Sequence, residues 1–233
     1  MSDPVPFNVS AKPSPLAEGV AAARANLLPG LVLWAMAFTL VVTYYRYAEV
    51  RGMLAGIAEL KTRYGYVYSA FSTALFGGLI PFLYMRFNPH TRSSNPWHFL
   101  IFYLLLWAYK GMEVDLLYRL QAFLFGNGPA FSVVAPKVLV DQMIYCPFWV
   151  SPTTLILFAW RDSGFSVSRT RAALSKRIFL NGVVRLQIST WMIWLPAVSI
   201  IYTFPAALQV LLFNIVLCFW MLLLAALTRP SPS

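Results

Sequence analysis

The sequence predicts an all-α fold: a multi-pass transmembrane helical bundle of four to six membrane-embedded helices, flanked by interfacial amphipathic helices. Three observations predict it. Of the 233 residues, 59% are hydrophobic and 11% are charged, against roughly half and about a quarter in soluble domains; the mean hydropathy is +0.66. The apolar residues gather into runs close to the roughly 20 residues that cross a bilayer core. Lysines and arginines mark the edges of those runs, at Arg46 and Arg51, at Arg86 and Arg92, and from Arg161 to Arg185. There, cations meet anionic headgroups and set topology. The net charge of +10 is therefore membrane-surface charge. Nucleic acid is not an expected partner, because no basic stripe lies on a soluble module.

In chain order, residues 1–26 form a loose N-terminal tail with Pro4, Pro6, Pro13 and Pro15 among serines. The tail lacks the pattern of a transit peptide, and no small-residue cleavage site follows the first apolar run. A single transmembrane helical domain covers 27–228, and 229–233 is a C-terminal tail. The run Leu27 to Tyr45 is long enough to span. Arg46 to Arg63 carries Met53, Leu54, Ile57 and Leu60 at helical spacing and reads as an interfacial helix. A second span, Tyr66 to Phe87, contains Gly77, Gly78 and Pro81; glycines let helices approach, and a proline is tolerated where neighbours satisfy the freed carbonyl.

The third element runs from Trp97 to Phe125. At 1.5 Å per residue it would reach about 43 Å, so it has to tilt, kink at Gly111 or leave the membrane. Lys110 with Glu113, and Asp115 with Arg119, are one turn apart and set to pair. Gly126 to Pro136 is a turn-rich loop. The fourth span covers Val138 to Trp160. Ser166 to Leu186 contains no acid and lies on a membrane surface, so the lipid bilayer and its anionic headgroups are expected partners across 161–187. The fifth segment, Ile188 to Phe204, is interrupted by Pro196. Pro205 separates it from the last span, Ala206 to Thr228.

No soluble catalytic pattern accompanies these elements. His90 and His98 lie in or next to a loop without metal-ligand spacing, and Cys146 and Cys218 fall inside apolar runs as small buried residues. There is no GxSxG, HExxH or phosphate-binding glycine loop. No enzyme activity, metal or cofactor is expected. What remains is polar chemistry inside apolar segments. Lys137 and Asp141 stand one turn apart and can meet on one face, Gln142 adds a donor and an acceptor, and Pro147 frees the carbonyl near Met143. Ionisable residues in spans usually face the bundle interior and often mark a pathway. Lys137, Asp141 and Gln142 are thus candidates for lining or gating a pore. A tie between helices and a catalytic carboxylate at Asp141 stay open beside that reading. The pair Lys110 and Glu113 is an interfacial ion pair or part of a route. Trp191, Trp194 and Trp220 are packing or interfacial anchors, and Asn214 is set for an interhelical hydrogen bond.

The same residues carry a resemblance. Lys137, then Asp141 and Gln142, then Pro147 resemble the lysine, Asp-Gln and proline pattern of the Mpv-seventeen family, which includes the twenty-two-kilodalton peroxisomal membrane protein. Trp191 and Trp194 ahead of Pro196 resemble its paired tryptophans. Pro205, Phe213, Asn214, Ile215, Val216 and Trp220 resemble its final proline, asparagine and tryptophan. Gly78, Pro81 and Tyr84 resemble its glycine-proline-aromatic turn. The resemblance covers roughly residues 66 to 87 and 136 to 225. Leu195 splits the family's Trp-Pro pair, and Gln209 stands where the family carries an arginine. The resemblance implies a remote, bacterial member of a group of small multi-helix membrane proteins with a channel-like role and no settled substrate. The expected function is a passive, weakly selective channel or small-solute transporter. A structural membrane protein that organises partners or lipids is the alternative. The bacterial cytoplasmic membrane is the expected location, with mitochondrial inner or peroxisomal membranes as alternatives, and homo-oligomerisation stays open.

Overall fold

Long apolar runs leave the backbone no partner but itself, and the chain answers with helices. A computed structural model describes residues 27–227 together with 14, 16, 17, 20, 21 and 24. The expected tails fall outside the described residues, apart from those six positions. In order, the elements are α1 (Leu27–Arg46), α2 (Ala48–Thr73), a π-helical turn (Ala74–Leu79), α3 (Ile80–Phe87), α4 (Phe99–Phe125) and α5 (Phe131–Leu139). A second π-helical stretch (Val140–Val150) follows, then α6 (Ser151–Asp162), α7 (Val167–Ala173), α8 (Lys176–Ile201) and α9 (Ala206–Leu227). Among the described residues there is no strand. Three continuous stretches are long and apolar enough to cross a membrane: Tyr66–Phe87, Phe131–Asp162 and Lys176–Ile201. A fourth results if Gly30–Arg46 and Ala48–Tyr64, which meet at 104°, count as one broken span.

Local chemistry sets the breaks. Tyr47 leaves the helical region (φ −113, ψ 123) between α1 and α2. Gly65 adopts φ 52, ψ −123 inside α2, a left-handed conformation that glycine enters without the Cβ penalty. The amphipathic segment before it is thus separate from the Tyr66–Phe87 span. In that segment Leu54, Ile57 and Ala58 pack on the core, while Met53, Leu60 and Tyr64 are exposed.

Three expectations are corrected. The loop after α4 ends at Ala130, because the turn chemistry stops with Gly-Asn-Gly-Pro at 126–129; Phe131 already opens α5, and Pro136 lies inside that helix. The basic segment 166–186 is not one surface element. Ser175 caps a new helix by accepting a hydrogen bond from the Ile178 amide, so the basic run divides between α7 and the first turns of α8. Pro196 does not interrupt that helix: α8 continues for 26 residues, with Ile193 and Ala197 buried on either side. A proline removes one rung of the ladder, and packing of both halves holds the rest.

Helix α4 is likewise uninterrupted over 27 residues. Gly111 does not kink it but lets α2 approach: a Cβ there would lie against the Ser69 carbonyl and 2.5 Å from Thr73 Oγ1. The core forms where the end of α8 turns into α9. Tyr202, Phe204, Leu208, Val210, Leu212, Phe213 and Leu217 pack with Val114 and Tyr118 of α4. Helix α9 touches α1, α2, α3, α4 and α8, so it is the axis of the bundle.

Candidate functional site

Polar residues recur along α4 at Tyr103, Lys110, Glu113 and Gln121, steps of seven, three and eight that keep them on one helical face. The stretch 131–162 runs antiparallel to it and offers Arg161, Thr153, Tyr145 and Asp141, at steps of eight, eight and four. The two sets meet rung by rung. Arg161 Nη1 donates to the Tyr103 hydroxyl, and its guanidinium lies 4.7 Å from the ring centre of Phe158 and 5.4 Å from that of Phe99. Lys110 Nζ donates to Thr153 Oγ1 at 3.2 Å and to both Glu113 oxygens at 3.0 and 3.1 Å. The Tyr145 hydroxyl donates to Glu113 Oε1. At the far end Gln121 Nε2 donates to the Tyr202 hydroxyl (2.9 Å), which donates to Asp141 Oδ2 (2.7 Å). From Tyr103 to Gln121 is 121 − 103 = 18 helical steps, or about 27 Å at 1.5 Å each. The hydrocarbon core of a bilayer is about 30 Å thick.

The π-helical stretch shapes the end of this seam. Its hydrogen bonds close every five residues instead of four, which brings Asp141 and Cys146 together: Cys146 Sγ donates to Asp141 Oδ1 at 3.3 Å. Gln142 Nε2 donates to the same oxygen at 3.0 Å. Pro147 has no amide hydrogen, and in this wider ladder the carbonyl it deprives is that of Gln142, not one near Met143. Trp191 of α8 fills the gap, donating its indole N–H to the Gln142 carbonyl at 3.0 Å.

Lys137 does not meet Asp141. That carboxylate accepts from Tyr202, Gln142 and Cys146. The Lys137 ammonium instead sits 5.7 Å from the ring centre of Tyr202. The residue is 1% exposed, and among the described residues it makes no hydrogen bond and no ion pair. Tyr118 packs edge-on against the same ring, 5.3 Å between centres.

A second polar knot lies on the neighbouring face of α4, at the Gly65 break. Asp115 pairs with Arg119 at 3.0 Å but also accepts from Lys61 Nζ at 2.6 Å and Ser69 Oγ at 2.8 Å. Lys61 and Asp115 are both buried. Lys110, expected at an interface, is buried as well. Asn214 of α9 is fully buried; its Oδ1 accepts from Thr73 Oγ1 (2.7 Å), and its Nδ2 donates to Ser72 Oγ (2.9 Å).

The remaining motif residues sit apart from the seam. Gly78 lies in the Ala74–Leu79 turn against the Tyr103 carbonyl of α4. Pro81 is buried at the start of α3, and Tyr84 is exposed. Trp194 stacks on Phe213 with centres 5.3 Å apart, and Trp220 packs with Ile193, Ala197 and Val216. Pro205 precedes α9.

Sequence reasoning overlooked Gln121, Tyr145, Thr153 and Tyr202. The first three could have been found, since each continues a helical spacing set by Lys110, Glu113 or Asp141. Tyr202 follows α8 in the turn before Pro205, where no periodicity applies. Compared with models of known families, with curated proteins and with solved structures, the chain matches none of them.

Proposed function

We propose that this chain is a multi-pass membrane protein that lets a small solute pass along the seam between α4 and the 131–162 stretch, with Lys137, Asp141 and Gln142 at its narrow end. One observation carries the reading: separate polar rungs recur over about 27 Å of α4, close to the about 30 Å a bilayer core requires. Polar groups at membrane depth are costly and usually face an interior or a water-filled cavity. A bundle that needed only fastening has cheaper means, such as the single bridge from Asn214 to Ser72 and Thr73. The resemblance to the Mpv-seventeen family through Lys137, Asp141, Gln142 and Pro147 belongs to this proposal, as does a bacterial cytoplasmic membrane location. Exposed Arg169, Arg171, Lys176 and Arg177 support headgroup contact at the end where Arg161 closes the seam.

Single-channel recording from purified protein in planar bilayers tests it. Wild type should give discrete currents, and Asp141→Asn or Lys137→Gln should alter conductance or ion preference. Silent bilayers with verified insertion, over a range of voltage and pH, overturn the reading. A second reading, a structural protein in which these groups only tie helices, draws on the three donors that hold Asp141. It requires Asp141→Asn to melt the protein early while flux per folded molecule is unchanged.

A further inference from the structure

We infer that the species held at the narrow end of the seam is a small anion bearing carboxylate or phosphate oxygens, and that the Lys137 ammonium is its buried anchor. The inference deepens the passage reading and rests on it for the anion's movement, though not for its binding.

The argument begins with charge. An ammonium removed from water costs several kcal/mol unless a counter-charge and hydrogen bonds compensate it. Every other buried cation along α4 is compensated: Lys61 by Asp115 and Lys110 by Glu113. Lys137 is not. It is 1% exposed, and its one described interaction is with the face of the Tyr202 ring. Asp141, four residues on, gives it no ion pair and is occupied by three other donors. The three N–H bonds of the ammonium are therefore free to be taken by an acceptor.

A second buried group beside Tyr202 is also unfinished. Gln121 is 1% exposed. Its Nε2 is spent on the Tyr202 hydroxyl, while its Oε1 has no hydrogen-bond partner among the described residues. Buried polar atoms in native proteins are almost always satisfied, so an acceptor and an ammonium without partners among the described residues, both against one tyrosine, outline a binding site. Its ligand brings an anionic oxygen to Lys137 and an O–H or N–H to Gln121. A hydroxycarboxylate or a hydrogen phosphate has both. A metal cation has neither, and Lys137 repels it. The carboxylate of Asp141 is held by its own donors Tyr202, Gln142 and Cys146.

The test has a binding arm and a flux arm. In the binding arm, thermal unfolding of protein in zwitterionic-lipid micelles is followed by tryptophan fluorescence in lactate, in phosphate or in chloride at matched ionic strength. Lactate or phosphate should stabilise wild type and Lys137→Arg over chloride. Lys137→Gln and Lys137→Met should weaken apparent anion affinity about tenfold or more, the equivalent of one charge-assisted hydrogen bond. Gln121→Leu should weaken it less for acetate, which lacks the hydroxyl, than for lactate. Equal stabilisation of wild type and Lys137→Gln overturns the inference. If phosphatidylglycerol in the micelle gives the Lys137-dependent shift and free anions do not, the anchor stands and its ligand is a lipid headgroup. In the flux arm, the reversal potential in asymmetric potassium lactate should favour the anion in wild type and move towards zero in Lys137→Gln. A cation preference in wild type, unchanged in Lys137→Gln, overturns it. Silent wild-type bilayers with an intact binding result reject passage while leaving the anion site in place.

Discussion

Replacing Asp115 by leucine should be among the most damaging single changes in this protein, and the surroundings of the carboxylate say why. Among the described residues it is the sole acid paired with Lys61, and both side chains are 4% exposed. Removing one member of a buried pair leaves the other charge uncompensated, at a cost of about 3–5 kcal/mol. The other two donors lose less. Arg119 has a 49% exposed side chain and turns to solvent, which limits its share to about 0.2–1 kcal/mol. Ser69 retains a bond to the Gly65 carbonyl at 3.3 Å. Among the described residues Lys61 has only that same carbonyl, at 3.4 Å. At about 2–4 °C per kcal/mol for a chain of this size, the melting midpoint should fall by about 6–20 °C. Thermal unfolding in detergent micelles, arranged as a double-mutant cycle, isolates the pair. Lys61→Met combined with Asp115→Leu should recover to within about 1 kcal/mol of wild type or exceed it, since well-packed apolar replacements of buried pairs are often neutral or better. If Asp115→Leu lies within about 1 kcal/mol of wild type, or the double mutant recovers nothing, the buried-charge reasoning is wrong.

Three further outcomes follow from the same structure. Lys137→Met should raise the melting midpoint in anion-free buffer, because it deletes an uncompensated buried charge of similar length; a fall of the size seen for Asp115→Leu would mean the ammonium is already paired. Tyr202→Phe removes one of three donors to Asp141 and the partner of the Gln121 amide, and should cost about 1–3 kcal/mol by the same melt. Gly111→Ala puts a methyl group against Ser69 and Thr73, forcing α2 and α4 apart. It should lose several kcal/mol, at or beyond the upper range of about 1–3 kcal/mol for overpacking, and monodisperse yield on size exclusion should collapse.

The parts of this fold that were legible in the sequence are those governed by composition and helical period. Tyr66–Phe87 emerges with the limits its apolar run suggests, and Pro205 falls between α8 and α9. Lys110 meets Glu113, and Asp115 meets Arg119, because spacings of three and four fix neighbours on any helix. The misreadings have a common physical source. Pro136 and Pro196 read locally as a boundary and an interruption, yet each lies within a helix whose flanks are held by packing that no local rule contains. The pairing of Lys137 with Asp141 assumed an α-helical turn, and the chain is π-helical from Val140. Long-range partners were out of reach by nature. Nothing near Asp141 in sequence points to Tyr202, and nothing near Asp115 points to Lys61.

The widened turn over Val140–Val150 makes the length of that stretch as constrained as its chemistry. Pro147 is compatible with it because Trp191, from another helix, supplies the bond the ring withholds. Remove one residue between Asp141 and Cys146 while the ladder stays as wide, and the two halves of the stretch lose register. Everything before the deletion then rotates by about 100°, one residue's share of helical twist. Asp141 would swing away from Tyr202, and Gln142 would carry its carbonyl out of reach of Trp191, with no side chain in the cluster altered. Single-residue insertions and deletions here should therefore be as severe as replacing the aspartate itself, whereas the Gly126–Ala130 loop should absorb them.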